Sequence, residues 1–557
     1  MTRLIECVPN FSEGRDPALI AEITDAIAAV DGVRLLNVDP GRATNRTVVT
    51  FVGTPDAVVE AAFRAIRLAG ELIDMSQHHG EHPRMGATDV CPLIPVSDIT
   101  MAETAEYARA LAERVGRELQ LPVYLYEEAQ PDKARSNLSV IRAGEYEGLA
   151  QKMARPEWRP DFGPVAFDAR RGATVIGARE FLVAFNVNLN TTSTRRANAV
   201  AFDVREAGRT RLDNAGKPIL DSAGKPVIVP GTLKAVKAIG WYIAEYGIAQ
   251  VSMNLVNIGV TPLHRAFDEV CRAAEARGLR VTGSEIVGVI PRQCLLDAGR
   301  YFLEKQQRST GVSEAELIRI AILSLGLDEL APFKPEERII EDLLGTTQPG
   351  RLVAMTLTNF AYETASESPA PGGGSIAAYA GALGAALGTM VANLSSHRRG
   401  WDARWQEFSD WAEQGQGYTR TLLALVDEDT AAFEQVMACF GMPKTTEDEK
   451  TARRNAIEAA TKGATEVPLR VMETALASMA VIRAMAEVGQ ESSASDAGVG
   501  ALCARAAVRG AFLNVQINAK QLKDRAFAED VAARGAMMVA EAERLEAETL
   551  ALVHSRM

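Results

Sequence analysis

The sequence predicts a multidomain protein in which two α+β, ferredoxin-like (βαββαβ) subdomains are followed by an all-α helical-bundle domain. The 557 residues exceed what one core accommodates, because single cores stop growing at about 250–300 residues. Strand and helix patterns alternate over the first half of the chain. Beyond residue 350 only helix-forming patterns remain, with alanine, glutamate and arginine dominant. These three observations indicate mixed subdomains first and a bundle last.

The first subdomain is predicted over residues 1–180. Strands are read from β-branched runs, and helices from amphipathic patterns, two of which open with proline. In chain order the elements are a strand at 4–8, a helix at 17–30, strands at 33–38 and 47–53, a helix at 55–73, a strand at 90–96, a helix at 101–119 and a strand at 123–126. The first six elements give the βαββαβ order of the ferredoxin-like motif.

The second subdomain is predicted over residues 181–330 and repeats this order. Its elements are a strand at 181–189, a helix at 191–206, strands at 234–242 and 249–258, a helix at 262–277 and a strand at 280–290. Two such subdomains side by side favour a ligand cleft between them. The octads 212–219 and 220–227 nearly duplicate each other, and each carries an Asp-x-x-Gly turn signal. We expect an exposed hairpin excursion there, with a role in assembly as the alternative.

A linker is predicted at 331–350, and the bundle of about five or more helices at 351–557, with breaks near 366–374, 400, 441–443 and 489–495. The stretch 372–394 carries no charge and is long enough to span a bilayer. It consists mostly of alanine and glycine, which insert weakly. We therefore expect a buried, closely packed bundle helix and no membrane partner.

Composition limits the classes of function. The formal net charge of −12 argues against nucleic acid as the main partner, since phosphate binding requires a basic face. The six cysteines lie far apart without C-x-x-C spacing, which is typical of reduced thiols. The N-terminal residues contain no long apolar segment of the secretory type. A cytoplasmic protein is expected.

A histidine-rich loop is the first candidate site. His78, His79 and His82 are three of the six histidines in the chain. The i, i+4 spacing of His78 and His82 could bind zinc on a helix, but Gly80 and Pro83 argue against a helix there. We favour a catalytic loop with histidine as the base, because its pKa lies nearest neutrality. Metal binding and a solvated loop without a role are the alternatives.

Two glycine-containing segments could bind anions. In 161–172, an aromatic residue and two arginines lie among glycines, which suits a flat anionic ligand, although a surface loop fits the pattern equally. In 368–375, Pro-Gly-Gly-Gly-Ser runs directly into a helix, whose N-terminus attracts anions. A tight helix entry without a ligand is the alternative.

An acidic cluster in the bundle is the last candidate. Asp427, Glu428 and Asp429 are consecutive on a helical stretch, usually the sign of a solvated face. Asp429, however, shares a face with Val426 and Phe433 at i−3 and i+4, at the border of an apolar stripe. A carboxyl group there can have a raised pKa and act as an acid.

Together these segments resemble the formimidoyltransferase–cyclodeaminase family over nearly the whole chain. The motifs that carry the resemblance to the transferase half are Glu6–Gly14, Gly80–Gly86, Asp161–Pro164, Gly177–Arg179 with Phe185-Asn186, and Pro332–Ile340. Those of the cyclodeaminase half are Pro371–Ser375, Val426–Asp429 and Asn514–Asn518.

The resemblance implies a bifunctional transferase and lyase of histidine breakdown and one-carbon metabolism. The first domain would transfer a formimidoyl group from N-formimidoyl-L-glutamate to N5 of tetrahydrofolate. The second would close the ring to 5,10-methenyltetrahydrofolate and release ammonia. Tetrahydrofolate, with or without a polyglutamate tail, is then a co-substrate, and no metal or redox cofactor is required. Homo-oligomers, among them an octameric ring, are implied as well.

The resemblance also implies site residues. His82 matches the transferase catalytic histidine and Asp429 the cyclodeaminase catalytic aspartate, while Asp39 and Arg84 are further candidates for support around the transferred group. The folate-binding loop is implied to comprise Gly163, Pro164, Val165, Ala166, Phe167, Asp168, Ala169, Arg170, Arg171 and Gly172. Two other hypotheses stay open: a transferase whose α-domain is an inactive folate-binding or oligomerising module, and a non-catalytic scaffold.

Overall fold

The computed structural model describes residues 3–42, 44–80, 83–345 and 350–557. The chain forms two compact units, one comprising Met1–Asp297 with Ile322–Thr347 and the other Ala298–Ala321 with Gln348–Met557. The first unit mixes sheets and helices, and the second is helical. The predicted multidomain organisation, mixed first and helical last, is confirmed at this level.

The first half of the mixed unit is built on a seven-stranded sheet. Its strands are β1 (Leu4–Cys7), β2 (Asn10–Phe11), β3 (Val33–Gly41), β4 (Arg46–Gly53), β5 (Thr88–Ser97), β6 (Val123–Glu127) and β7 (Thr174–Ala178). Its helices are α1 (Pro17–Ala28), α2 (Pro55–Leu72), α3 (Met101–Glu118), α4 (Leu138–Ile141) and α5 (Glu145–Met153).

The strands lie in the order β3, β4, β1 with β2, β5, β7, β6. All neighbours are antiparallel except β7, which pairs in parallel with both β5 and β6. Strand β7 was not predicted, because its five residues follow a long loop and carry no period of their own. Ile5, Phe51 and Leu93 face α1–α3 in the main core. The opposite face carries polar side chains, among them Asp39 and Arg46.

Helix ends follow from local sequence. Asp16 caps α1 by accepting from the amides of Ala18 and Leu19, and Pro17 occupies the first turn. Thr100 and Glu103 form a reciprocal capping box on α3.

A second, four-stranded sheet follows in the same unit. Its strands are β8 (Val183–Leu189), β11 (Val236–Ile243), β12 (Ile248–Leu255) and β13 (Val281–Val287), in the antiparallel order β11, β12, β8, β13. The helices α6 (Thr194–Val204) and α7 (Leu263–Glu275) contribute Val200 and Val270 to its core. The short strands β9 (Arg209–Thr210) and β10 (Ile228–Val229) close the duplicated excursion. Asp213 and Asp221 make equivalent turns there, each accepting two backbone amides, and the excursion is exposed as expected.

The chain then becomes helical, with α8 (Arg292–Lys305), α9 (Glu314–Leu325), α10 (Pro335–Arg338) and α11 (Ile340–Leu343). The last two lie within the predicted linker. Ile340 is buried and packs with Leu36 and Val52 of the first sheet. This part of the segment is therefore integrated into the mixed unit.

The helical unit contains α12 (Leu357–Thr364), α13 (Gly373–Ser396), α14 (Trp405–Phe440), α15 (Glu447–Val488), α16 (Ala494–Ala519) and α17 (Arg525–Arg556). Among the described residues, α13 is the one helix long and apolar enough to cross a membrane by length and composition. Within the unit its glycines permit close packing: a Cβ on Gly384 would lie 2.8 Å from the carbonyl oxygen of Gly500 on α16. This close packing explains why the charge-free stretch is rich in glycine and alanine.

Candidate functional sites

The histidine-rich loop packs against the turn that precedes β4. A Cβ on Gly80 would lie 2.2 Å from the carbonyl oxygen of Thr44, so only glycine permits this approach. The side chain of Asn45 donates to the carbonyl oxygen of His79 (3.0 Å) and accepts from the amide of Gly14 (3.0 Å). The loop is thereby fixed to the sheet by one asparagine.

His78 is buried within this loop. Its Nδ1 accepts from Nε of Arg84 (3.3 Å), so its proton resides on Nε2, which donates to the carbonyl oxygen of Asn45 (2.9 Å). Burial lowers the pKa of His78, with the charge of Arg84 acting in the same direction. Both ring nitrogens are engaged, which indicates a structural link between loop and sheet. His82, the predicted base, lies outside the described residues, and its role stays a prediction.

Arg84 is a buried anchor. Its guanidinium pairs with Glu147 (2.7 Å) and Glu145 (3.4 Å), and it donates to the carbonyl oxygen of His78 (3.2 Å). The hydrogen bond from Arg84 lowers the pKa of Glu147. Tyr146 lies 6.0 Å from the guanidinium. Arg84 therefore holds the loop onto α5 and has its donors occupied.

The predicted folate loop, 163–172, lies directly beside this anchor. Tyr146 contacts Phe167 with ring centroids 5.6 Å apart, and Gly86 pairs with Gly172. Both terminal glycines have positive φ, and a Cβ on either would lie 2.2 Å from a backbone carbonyl oxygen. The two loops that the sequence singled out thus adjoin each other.

The two arginines of this loop are engaged in its structure. Arg171 donates to Asp168 (2.6 Å) and to the carbonyl oxygens of Leu119 (2.8 Å) and Gln120 (3.1 Å). Arg170 donates to the carbonyl oxygen of Glu71 (2.9 Å). Such bonds stabilise the end of a helix. Arg171 would therefore have to break these hydrogen bonds before it could bind a ligand. Val165, in the same loop, is exposed.

Asp39 lies on β3, on the polar face of the first sheet, in register with Val48. Burial raises its pKa, while the charges of Arg338 and Arg46 oppose the rise. Arg338 also lines a cavity of about 360 Å³ along β3, together with Leu35, Leu36, Asn37, Val38, Glu337 and Leu343. Asp39 therefore lies at a partly desolvated, positively flanked position.

The second site surrounds Asp429 in the helical unit. Ser375, in the first turn of α13, donates from Oγ to Asp429 Oδ2 (3.0 Å). A Cβ on Gly374 would lie 2.1 Å from Asp429 Oδ1, so the glycine admits the carboxyl group to the helix N-terminus. Burial raises the pKa of Asp429, and the two hydrogen bonds from Ser375 lower it. A raised pKa at a half-buried carboxyl suits proton transfer.

The other two acids of the cluster have different partners. Asp427 accepts the backbone amides of Leu352 (2.7 Å) and Val353 (3.2 Å), and Glu428 pairs with Arg470 (3.0 Å) at the surface. Only Asp429 reaches the glycine-rich helix entry. Asn514, part of a motif noted in the sequence, lies on the other side of this entry, with its amide nitrogen 3.5 Å from the Cβ position of Gly373.

Sequence reasoning missed several residues at these sites. Asn45, Tyr146 and Glu147 carry no local motif, and only the fold brings them to the histidine-rich loop. The Pro-Gly-Gly-Gly-Ser segment was noted as an anion site, but its contact with a carboxyl group 54 residues away could not be read from the chain. Within the described ranges, no group of three or more His, Cys, Asp or Glu side chains could hold a metal ion.

Comparison with known proteins accounts for both units. The model of the formiminotransferase domain, N-terminal subdomain, matches residues 4–179, that of the formiminotransferase domain matches 184–345, and that of formiminotransferase-cyclodeaminase matches 356–536. A formimidoyltransferase-cyclodeaminase from Sus scrofa is 43% identical over 557 residues, covering 100% of both chains. The chain belongs to the formimidoyltransferase-cyclodeaminase family.

Shorter relatives match parts of this family member. A glutamate formimidoyltransferase from Streptococcus pyogenes serotype M1 is 40% identical over 55% of this chain and 94% of its own length. A methenyltetrahydrofolate cyclohydrolase from Methylorubrum extorquens is 42% identical over 31% of this chain and 84% of its own length. Parts of the formimidoyltransferase-cyclodeaminase chain therefore also occur as separate proteins.

Proposed function

We propose that the chain catalyses two successive reactions of a formimidoyl group. The first transfers the group from N-formimidoyl-L-glutamate to N5 of tetrahydrofolate and releases glutamate. The second converts 5-formimidoyltetrahydrofolate into 5,10-methenyltetrahydrofolate and releases ammonia. The observation that carries both activities is the full-length, 43% identical relationship to a formimidoyltransferase-cyclodeaminase.

In the first reaction, N5 forms a bond to the formimidoyl carbon, and the bond from that carbon to the α-nitrogen of glutamate breaks. The N5 proton ends on the departing α-nitrogen. We assign its removal to His82, since a neutral histidine is a suitable base and contributes roughly 10²–10⁴-fold. The neighbouring His78 is an unsuitable base because both of its nitrogens are bonded. The loop 163–172 is assigned to folate.

In the second reaction, N10 attacks the same carbon and the terminal nitrogen leaves as ammonia. N10 loses one proton and the leaving nitrogen gains one, so a single acid–base group can transfer the proton between them. We assign this group to Asp429. Burial raises the pKa of Asp429, which favours its protonated form, and an amine leaves well only when protonated.

We extend the proposal to the fold. Each half of the mixed unit has a central first strand paired with the third and fourth strands of its βαββαβ set, which supports two ferredoxin-like subdomains. Tetrahydrofolate, in free or polyglutamylated form, is the proposed co-substrate. The chemistry balances without a metal or redox cofactor, and we place the protein in the cytoplasm.

We also propose a homo-oligomer, up to the ring-like octamer. The support is an apolar surface on two adjacent helices of the helical unit. It comprises Ile376, Leu383, Met390 and Leu394 of α13 with Val499, Leu502, Leu513 and Ile517 of α16, all exposed. The first three recur every seven residues, as in helix–helix contacts. A large exposed apolar patch of this kind marks an interaction surface.

The test supplies the purified chain with tetrahydrofolate and N-formimidoyl-L-glutamate. Methenyl absorbance and ammonia are followed together. We expect both to rise in step. Methenyl absorbance that fails to rise while glutamate is released would leave a transferase with an inactive helical unit. Absence of glutamate release would overturn the transferase half of the proposal.

A further inference from the structure

Arg46 is a largely buried arginine for which the described residues provide no partner. It opens β4, and its Nε is inaccessible and bonded to no acceptor in the described chain. None of the carboxylates that the structure describes lies within ion-pair distance of its guanidinium. Burial lowers the pKa of Arg46 to about 10, so it remains charged near neutral pH. A desolvated charge without a partner destabilises a fold, and its presence calls for a ligand.

Asp39 provides the opposite charge on the same face of the sheet. It is in register with Val48, two residues along β4 from Arg46. Residues in such a diagonal relation are about 7–8 Å apart at their Cα atoms. The charge of Asp89 acts most strongly on Arg46, followed by those of Arg142 and Asp39. Asp89 is paired with Arg142, and Asp39 forms no ion pair with Arg46 in the described structure. A gap between a carboxylate and a guanidinium is thus left on the polar face of the sheet.

This gap adjoins the histidine-rich loop. Arg46 directly follows Asn45, which accepts from His78 and donates to the carbonyl oxygen of His79. Gly14 also packs here, since a Cβ on it would lie 2.5 Å from the amide nitrogen of Arg46. The unpaired charges therefore lie where the loop with the proposed catalytic base joins the sheet.

The formimidoyl donor carries a positive amidinium and a negative carboxylate on the same α-carbon. Its amidinium is planar and presents two N–H donors, which a carboxylate can accept side by side. Its α-carboxylate lies next to the amidinium-bearing nitrogen and matches the two parallel donors of an arginine. A gap between Asp39 and Arg46 suits this arrangement in one orientation only.

We propose that Arg46 and Asp39 form the donor subsite, with Arg46 binding the α-carboxylate and Asp39 the amidinium of an N-formimidoyl α-amino acid. This inference rests on the proposed transferase function and specifies how the formimidoyl donor is recognised. Transfer to N5 moves the amidinium onto folate and leaves the α-amino group of glutamate, which takes up a proton from solvent and then contacts Asp39 as an ammonium. The α-carboxylate stays on Arg46 throughout, so the subsite orients the donor by a group that does not react.

The main test compares two donors and two variants. The donors are N-formimidoyl-L-glutamate and 4-(formimidoylamino)butanoate, which retains the γ-carboxylate but lacks the α-carboxylate. The variants are Arg46→Gln and, as a matched control, Arg67→Gln on the exposed face of α2. Transfer is measured as glutamate or 4-aminobutanoate release at saturating tetrahydrofolate.

Arg46→Gln should lower kcat/KM for the full donor by about 100-fold or more, the effect of removing one partner of a desolvated charge pair. The same variant should leave kcat/KM for the truncated donor nearly unchanged, because the group that Arg46 binds is already missing. The KM for tetrahydrofolate should not move. Arg67→Gln should behave as wild type with both donors.

A stability measurement separates binding from a structural role. Because none of the described residues pairs with Arg46, Arg46→Met should leave Tm unchanged or raise it, as expected for a residue kept for function. A lower Tm together with intact donor discrimination would overturn the inference. A raised KM for tetrahydrofolate with unchanged donor preference would also overturn it and assign Arg46 to folate.

Asp39→Asn gives an independent check, since it removes the charge that faces the amidinium while keeping the size. It should lower kcat/KM for both donors, because both carry the amidinium. If the wild-type chain transfers from neither donor, the proposed function fails. If it transfers and the variants discriminate as wild type does, only the subsite fails.

Discussion

Ser375 Oγ donates a hydrogen bond of 3.0 Å to Asp429 Oδ2, joining the glycine-rich start of α13 to the middle of α14. Thr430, the next residue on α14, lies 3.3 Å from the same hydroxyl. Gly374 permits the contact because any side chain there would collide with the carboxyl group. The proposed acid of the second reaction is thus held by Ser375, at the helix N-terminus that the sequence suggested for anions.

The first prediction concerns Asp429→Asn. Asparagine has nearly the same size and still hydrogen-bonds, so the fold should survive, but it cannot supply a proton. Ammonia release from supplied 5-formimidoyltetrahydrofolate should fall by roughly 10²–10⁴-fold. Glu428→Gln is the matched control, because Glu428 pairs with Arg470 at the surface. Near-normal release by Asp429→Asn would place the acid elsewhere.

The second prediction concerns the pH dependence of ammonia release. Burial raises the pKa of Asp429, and the Ser375 hydroxyl lowers it. An acid must be protonated to donate, so the rate should decline as the pH rises through this pKa. Ser375→Ala removes one lowering contact, and the decline should move to higher pH. A pH–rate profile checks the direction, and a shift to lower pH would contradict the assignment.

The third prediction concerns the stability of the helical unit. Asp427 accepts two backbone amides of the segment that leads into the unit. Asp427→Asn replaces one acceptor by a donor and should lower the free energy of unfolding by about 1–3 kcal/mol. Each kcal/mol corresponds to roughly 2–4 °C of Tm. Calorimetry measures the loss. An unchanged Tm would mean that this anchor is dispensable.

The fourth prediction separates two neighbouring histidines. His78→Ala removes the hydrogen bonds to Asn45 and Arg84 and should lower the free energy of unfolding by about 2–4 kcal/mol. His79→Ala, at an exposed position, should change stability by less than about 0.5 kcal/mol. Since burial lowers the pKa of His78, the unfolded state binds its proton first, so the stabilising effect of the neutral ring should be lost on acidification. Denaturant titration at several pH values tests all three, and equal effects of the two substitutions would refute the structural role.

Periodic features of the sequence predicted most of the elements but not their contacts. The strand at 47–53 and the helix at 55–73 were predicted within one residue of β4 and α2, because long patterns specify both type and position. Strand β7 was not predicted because its five residues after a loop are too few to show a period. The apolar border beside Asp429 was visible from Val426, whereas Ser375 reaches it only through the packing of α13 on α14.

The role of Arg46 was hidden for a different reason. A single arginine at the start of a strand is typical of a solvated edge, and only the absence of partners in the described fold makes it unusual. Likewise, the pattern of 161–172 fits an anionic ligand and a surface loop equally, and the chain alone does not reveal that Arg171 donates to the carbonyl oxygens of Leu119 and Gln120. Whether a charged side chain binds a ligand or stabilises the fold depends on the residues around it, and a single sequence does not show them.

The most direct test of two separate sites measures both half-reactions on His82→Ala and Asp429→Asn in the full chain. We expect a crossed result: His82→Ala releases no glutamate but still forms ammonia from supplied 5-formimidoyltetrahydrofolate, and Asp429→Asn releases glutamate while 5-formimidoyltetrahydrofolate accumulates. Loss of both half-reactions in either correctly folded variant, or of neither, would contradict it.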